Sequence, residues 1–193
     1  MFEASKAVSR RLHTPGFATR FFVGDGIDVG CGSDSLSNHR ALFPLMGRIT
    51  DHDLEHGDAQ FLARHADSSF DFLHSSHCLE HLKDPFEALT NWCRVVRTGG
   101  HLIVLVPDED MYEQGVWPST WNRDHKKTFT ICKKSSWSPV SVNLTNLLEY
   151  VAGKAMPIRV ELLCHTFVPG ADRRDHTLNS FTESGIEFVL RRI

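Results

Sequence analysis

Residues 101–106 read His-Leu-Ile-Val-Leu-Val, an apolar run of strand length entered from Gly99-Gly100. A strand with one wet face alternates polar and apolar residues, so a continuous apolar run is expected where a strand is covered on both faces, as in a parallel sheet flanked by helices. Residues 26–29, 47–53 and 70–75 also read as strands. Between the last of these and the apolar run, Leu79, Leu82, Phe86, Leu89, Trp92, Val95 and Val96 recur at helical spacing, with Pro85 dividing the stretch into a short turn and a longer helix that Gly99-Gly100 ends. Alternation of strand and helix predicts an α/β chain with a mostly parallel sheet. Two late strands, 158–167 and 185–191, separated by a polar loop, suit an antiparallel hairpin at the sheet edge.

At 193 residues the chain suits one domain. It divides into a helical cap (1–23), a ligand-binding core (24–106), an irregular insertion rich in Trp, Pro, Asn and His (107–157) with a helix at 142–152, and the closing strands (158–193). A further helix at 35–42 is expected to stop before Pro44. The net charge is −3 with Lys and Arg dispersed, which is no footprint for a polyanion, so nucleic acid is not an expected partner. Five cysteines without paired spacing fit reduced thiols, and no apolar run approaches the roughly 18 residues of a membrane span. A cytoplasmic protein without a membrane partner is expected, and the sequence leaves its oligomeric state open.

In such a sheet a ligand sits beyond the carboxyl ends of the strands, at the first strand-to-helix turn. Here that turn is Asp28-Val29-Gly30-Cys31-Gly32, and the third glycine of a dinucleotide fingerprint is missing, its region being Ser33, Asp34 and Ser35. Asp28 and Asp34 repel phosphate and suit a ligand carrying an ammonium and a sulfonium. A carboxylate about 20 residues beyond the turn can accept from both hydroxyls of a ribose; Asp53 is the first choice and Asp51 the alternative. Gly57-Asp58-Ala59-Gln60 then offers a turn able to read an exocyclic amine.

The segments Ile27-Asp28-Val29-Gly30-Cys31-Gly32, Gly57-Asp58-Ala59-Gln60 and Phe70-Asp71-Phe72, with Ser75-Ser76-His77-Cys78-Leu79-Glu80-His81-Leu82 and Val95-Val96-Arg97-Thr98-Gly99-Gly100-His101-Leu102, resemble class I S-adenosylmethionine-dependent methyltransferases of the type 11 kind. The resemblance implies a Rossmann-like fold, S-adenosylmethionine as cofactor, its methionine part at Gly30, Cys31 and Gly32, its ribose on Asp53, its adenine by Asp58 and Ala59, and its sulfonium near Ser75 and Ser76. Between Asp53 and Asp58 there is no room for the helix and third strand usual in that family, so a sheet trimmed in the middle is expected.

For catalysis the candidates are His77, Asp108, expected to point into the cleft, and His125, a candidate general base. A small polar or sugar-like acceptor, methylated on oxygen or nitrogen, is expected, and Tyr112, Trp117 and Trp121 are candidates to wall its pocket. Two alternatives stay open: a catalytically weak module that binds S-adenosylmethionine, and a metal-dependent hydrolase, because His77-x-x-Glu80-His81 matches an inverted zinc-hydrolase signature. No metal is assigned to the methyltransferase reading. Some relatives of this class hold magnesium with Glu and His at this helix, in a pattern that differs from His77 and Glu80, so a divalent ion near Glu80 and His81 is left open.

Overall fold

A computed structural model describes residues 2–165, 167–179 and 183–193. Met1, where the predicted cap begins, and Thr166, inside the first predicted closing strand, lie outside the described residues. The chain opens with helices α1 (Glu3–His13) and α2 (Phe17–Phe21), followed by strands β1 (Gly24–Val29) and β2 (Met46–His52). Strand β3 (Phe70–Ser76), helix α3 (Pro85–Val95) and strand β4 (Val96–Pro107) come next. The insertion contributes short strands β5 (Thr128–Thr130) and β6 (Ser141–Asn143) and helix α4 (Leu144–Tyr150), before β7 (Ala155–Cys164) and β8 (Ser184–Arg192).

The main sheet has the order β2-β1-β3-β4-β8-β7. Strands β1 to β4 pair in parallel, whereas β8 runs antiparallel to β4 and β7 antiparallel to β8, as the expected closing hairpin requires. The apolar run behaves as its composition predicts. Leu102, Val104 and Val106 pack into one core cluster with Trp92, Leu89 and Leu147. Ile103 faces the opposite cluster with Phe17, Phe22, Leu36 and Phe72.

Two of the expected helices differ in detail. The helix expected at 35–42 is a 3-10 helix, Leu36–Leu42, in which only Leu36 is buried; one apolar anchor supplies no stripe to hold a full α-helix on the sheet. The helix expected to run to Arg97 ends at Val95, and β4 takes in both glycines. Gly100 lies so close to β3 that a Cβ there would meet the Asp71 carbonyl at 2.3 Å. The trimmed middle is as expected: only a 3-10 turn, Leu54–His56, and loop connect β2 to β3, which leaves β2 at the sheet edge.

Helix α1 is tied to the sheet by buried charge. Arg11 Nε donates to Glu187 Oε2 at 2.8 Å with both side chains fully buried, and Arg10 bridges Glu187 and Glu183. Arg11 Nη1 meets His74 Nε2 at 2.9 Å, and His74 Nδ1 meets Asp28 Oδ1 at 2.6 Å. Because a guanidinium only donates, His74 must carry its proton on Nδ1 and give it to Asp28. A hydrogen-bonded wire thus runs from β8 through α1 and β3 to the end of β1.

Candidate functional site

Strand β1 delivers the chain to Gly30, whose φ of 72° is left-handed. A Cβ there would meet Cys78 Cβ at 2.4 Å, so both backbone conformation and space demand glycine. Gly32, also left-handed at 51°, donates its N–H to Asp53 Oδ2 at 2.7 Å. The parallel register sets Asp28 beside Asp51 and Val29 beside His52, which puts Asp53 just past the end of β2 and against the glycine turn. Asp53 Oδ1 also caps the following 3-10 turn through the Leu54 N–H. Asp51 is committed elsewhere, accepting from Ser35 Oγ at 2.6 Å and Ser37 Oγ at 3.0 Å.

Two cavities flank this turn. The smaller, about 210 Å³, is lined by Glu3, Asp28, Cys31, Gly32, Ser33, Asp34 and Ser76. The larger, about 750 Å³, is lined by Asp53, Asp58, Ala59, Gln60, Phe61, Cys78, His81, Asp124 and Lys126 among others. Gly30 and His77 line both, so the cavities form one cleft along the strand ends.

Sequence reasoning missed the contribution of α1 to the smaller cavity. Asp34 receives the Ser5 N–H at 3.0 Å and also binds the Ser5 hydroxyl, capping α1 from outside its own segment. That contact sets Glu3 and Ala4 over the glycine turn. Nothing local in the sequence signals it, since the partners lie 29 residues apart.

Asp28 is buried, with Oδ2 accepting from the Leu36 N–H and Oδ1 from His74. Burial, then the neighbouring carboxylates Asp28, Asp51 and Asp53, push the Cys31 thiol up to about 12, so it serves as wall and not as nucleophile. Ser76 Oγ is buried without a protein partner, whereas Ser75 Oγ is turned inward onto the Val29 carbonyl and lines neither cavity. Gln60 is used structurally: its Nε2 donates to Glu87 and its Oε1 accepts from the Asp84 N–H. Asp58 Oδ1 accepts from the Gln60 N–H, and the Ala59 carbonyl holds the buried Trp92 indole at 2.8 Å.

The three catalytic candidates separate. His77 has a left-handed φ of 54°, and its N–H donates to the Leu105 carbonyl. Burial works against its charge, but Glu80 at 3.4 Å and Glu3 at 3.8 Å outweigh that and raise its pKa. Asp108 does not point into the cleft. It bridges to Phe129, its Oδ1 accepts from the Asp110 and Met111 N–H groups, and burial followed by Asp110 raises its pKa to about 6. His125 is buried against Tyr112 and lines neither cavity. Trp121 is likewise engaged in packing, with its indole N–H on the Tyr112 carbonyl.

The segment 77–81 does not form the helical face that the zinc-hydrolase signature requires. His77 is left-handed and Leu79–His81 is a 3-10 turn, so the two histidines do not stack one turn apart. Instead Glu80 is fully buried and points at His81 and at His125 from the insertion. Burial alone would raise its pKa, but His77, then His125 and His81, hold the carboxyl below its usual range.

Residues 46–104 match a family model described as a methyltransferase domain. No curated protein matches the chain by sequence. A S-adenosylmethionine-dependent methyltransferase from Archaeoglobus fulgidus shares 17% identity with a TM-score of 0.63, covering 100% of this chain and 95% of its own. One from Methanosarcina mazei shares 13% identity with a TM-score of 0.57, over 93% and 97% of the two chains. A chain from the Haloferax volcanii complex of the Trm112 methyltransferase activator with a methyltransferase shares 17% identity with a TM-score of 0.56, over 97% and 92%. At these identities the likeness concerns the fold. Among the described residues no helix is long and apolar enough to cross a membrane.

Proposed function

We propose that the chain is a class I S-adenosylmethionine-dependent methyltransferase that methylates oxygen or nitrogen on a small polar, sugar-like acceptor bound in the larger cavity. The observation that carries this reading is the junction of the two cavities at Gly30 and His77. A ligand lying along the strand ends has its middle at that junction, where the sulfonium stands between its amino-acid and adenosyl ends. The small cavity fits the amino-acid end. It is acidic through Glu3, Asp28 and Asp34, its glycine cradle admits no Cβ at Gly30, and Ser76 Oγ lacks a partner.

In this assignment Gly30, Cys31, Gly32 and Ser76 hold the methionine part, with Glu3 as an added carboxylate from α1. Asp28 orients the turn from beneath. Asp53 takes the ribose, since each of its oxygens accepts one backbone N–H and keeps a lone pair, while Asp51 is already occupied by two serines. Asp58 reads the adenine amine, and Ala59 and Gln60 shape its wall. The cofactor supplies an already activated methyl group, so the protein's task is to align the acceptor and exclude water. A cavity of about 750 Å³ is large enough to hold an adenosyl group with space beside it, and Asp124, Lys126 and His81 make that space polar.

Calorimetric titration with S-adenosylmethionine and its demethylated product tests the assignment. Wild type is expected to bind both, Asp53→Ala to lose roughly 10- to 100-fold in affinity, and Asp53→Asn to keep part of it, because hydrogen bonds to a charged acceptor are worth about 1.5–3 kcal/mol. Folded wild type that binds neither ligand at millimolar concentration overturns the reading. A screen of hydroxyl and amine acceptors then tests the acceptor class.

A further inference from the structure

Three atoms able to ligate a cation converge beside the larger cavity. Glu80 is fully buried, and neither of its carboxylate oxygens has a hydrogen-bond partner among the described residues. His81 Nδ1 lies 2.9 Å from Asp124 Oδ2, and His125 Nδ1 lies 2.7 Å from Glu113 Oε1. An ionised carboxylate only accepts, so in each pair the imidazole gives its Nδ1 proton, and the neutral ring then turns the lone pair of Nε2 outward. Those two lone pairs face Glu80 Oε1, at 4.0 Å from His81 Nε2 and 3.9 Å from His125 Nε2. His125 Nε2 is buried and unpartnered as well.

His77 Nδ1 stands 3.4 Å from the same Glu80 oxygen without forming a hydrogen bond, and with the two facing imidazoles neutral a cation among the three atoms removes the repulsion between their lone pairs and the buried carboxylate. One ligand atom from each of Glu80, His81 and His125 lies within 4.8 Å of the others. Two atoms bound to one ion at about 2.1 Å stand at most roughly 4.2 Å apart, so both distances to Glu80 already meet that limit. The orienting carboxylates are independent support, because a metal-bound histidine characteristically gives its other N–H to a carboxylate or carbonyl. The assembly is also braced by backbone: the Glu80 carbonyl accepts from the N–H groups of Lys126, at 2.8 Å, and Lys127, at 3.1 Å, which locks the loop carrying Asp124 and His125 onto Glu80.

We propose that Glu80, His81 and His125 bind a divalent first-row transition ion, with Asp124 and Glu113 as positioning residues. Two imidazoles and one carboxylate select such an ion over magnesium or calcium, which take oxygen ligands. His81 and Asp124 line the larger cavity, so the open coordination positions face the proposed acceptor and suit oxygen donors on it. The metal site itself does not depend on the methyltransferase assignment.

The test uses untagged full-length protein, stripped with chelator and shown to be folded by circular dichroism, titrated with Mn²⁺, Co²⁺, Zn²⁺ and Mg²⁺ in the absence of S-adenosylmethionine. Expected are one transition ion per chain, affinity for Mg²⁺ at least 100-fold weaker, and visible Co²⁺ absorption bands of a nitrogen and oxygen ligand field. Glu80→Gln, close in shape, is expected to abolish the bands. Glu113→Gln, which leaves all three ligands in place, is expected to weaken binding by 10- to 100-fold. Absence of stoichiometric binding in folded wild type, preference for Mg²⁺, or binding unchanged by Glu80→Gln overturns the proposal. Cofactor titration is a separate readout, so failure of the metal site and failure of the methyltransferase assignment are distinguishable.

Discussion

At the scale of single residues, the site depends on positions where one atom decides the outcome. Gly30 is left-handed and has Cys78 where its Cβ would be. Gly30→Ala therefore combines a backbone cost of roughly 1–2 kcal/mol with a steric clash. It is expected to weaken S-adenosylmethionine binding by at least 10-fold in calorimetry and to lower the melting temperature. Cys78→Gly on the same chain removes the clashing Cβ and Sγ and should restore part of the affinity. No restoration would mean that the backbone conformation, and not the contact, sets the requirement.

At the scale of elements, α1 is held by charge where the strands are held by apolar burial. Burial alone would raise the Glu187 pKa, but Arg11 and Arg10 outweigh it and hold the carboxyl at about 2, against an ordinary value of 4.5. A folded-state pKa below the unfolded one gives stability that is present above about pH 4.5 and lost as pH falls toward 2. That difference corresponds to roughly 3 kcal/mol at neutral pH. Glu187→Gln is expected to destabilise the protein at pH 7 by about 3 kcal/mol or more, since it leaves Arg11 buried without its carboxylate. It should also flatten the acid limb of stability in urea titrations at stepped pH. An unchanged acid limb would show that Glu187 is not the group responsible.

At the scale of the whole molecule, the two cavities lie where α1, the glycine turn, the β2 end and the insertion meet, so a ligand filling both would touch parts that are distant in the chain. Binding to the folded state alone stabilises it by about 2.7 kcal/mol at 100 times Kd. For a chain of this size that raises Tm by roughly 5–10 °C, a shift thermal melts with S-adenosylmethionine should reproduce. Asp53→Ala should show a smaller shift at the same ligand concentration.

The sequence by itself determined the parallel core, because apolar runs buried on two faces and helical spacing are local patterns. It also determined the glycine turn, the trimmed middle and the closing hairpin. It left Asp51 and Asp53 open, and only the register of β1 against β2, with two serines occupying Asp51, separates their surroundings. It did not reveal Glu3 in the cleft, the wire from Glu187 through Arg11 and His74 to Asp28, or the meeting of Glu80 with His125. It placed Asp108 in the cleft, where tertiary structure instead uses it to cap a turn. The reason is physical: periodicity and turn chemistry act between residues a few positions apart, whereas a buried charge chooses its partner by which surfaces the completed fold brings together.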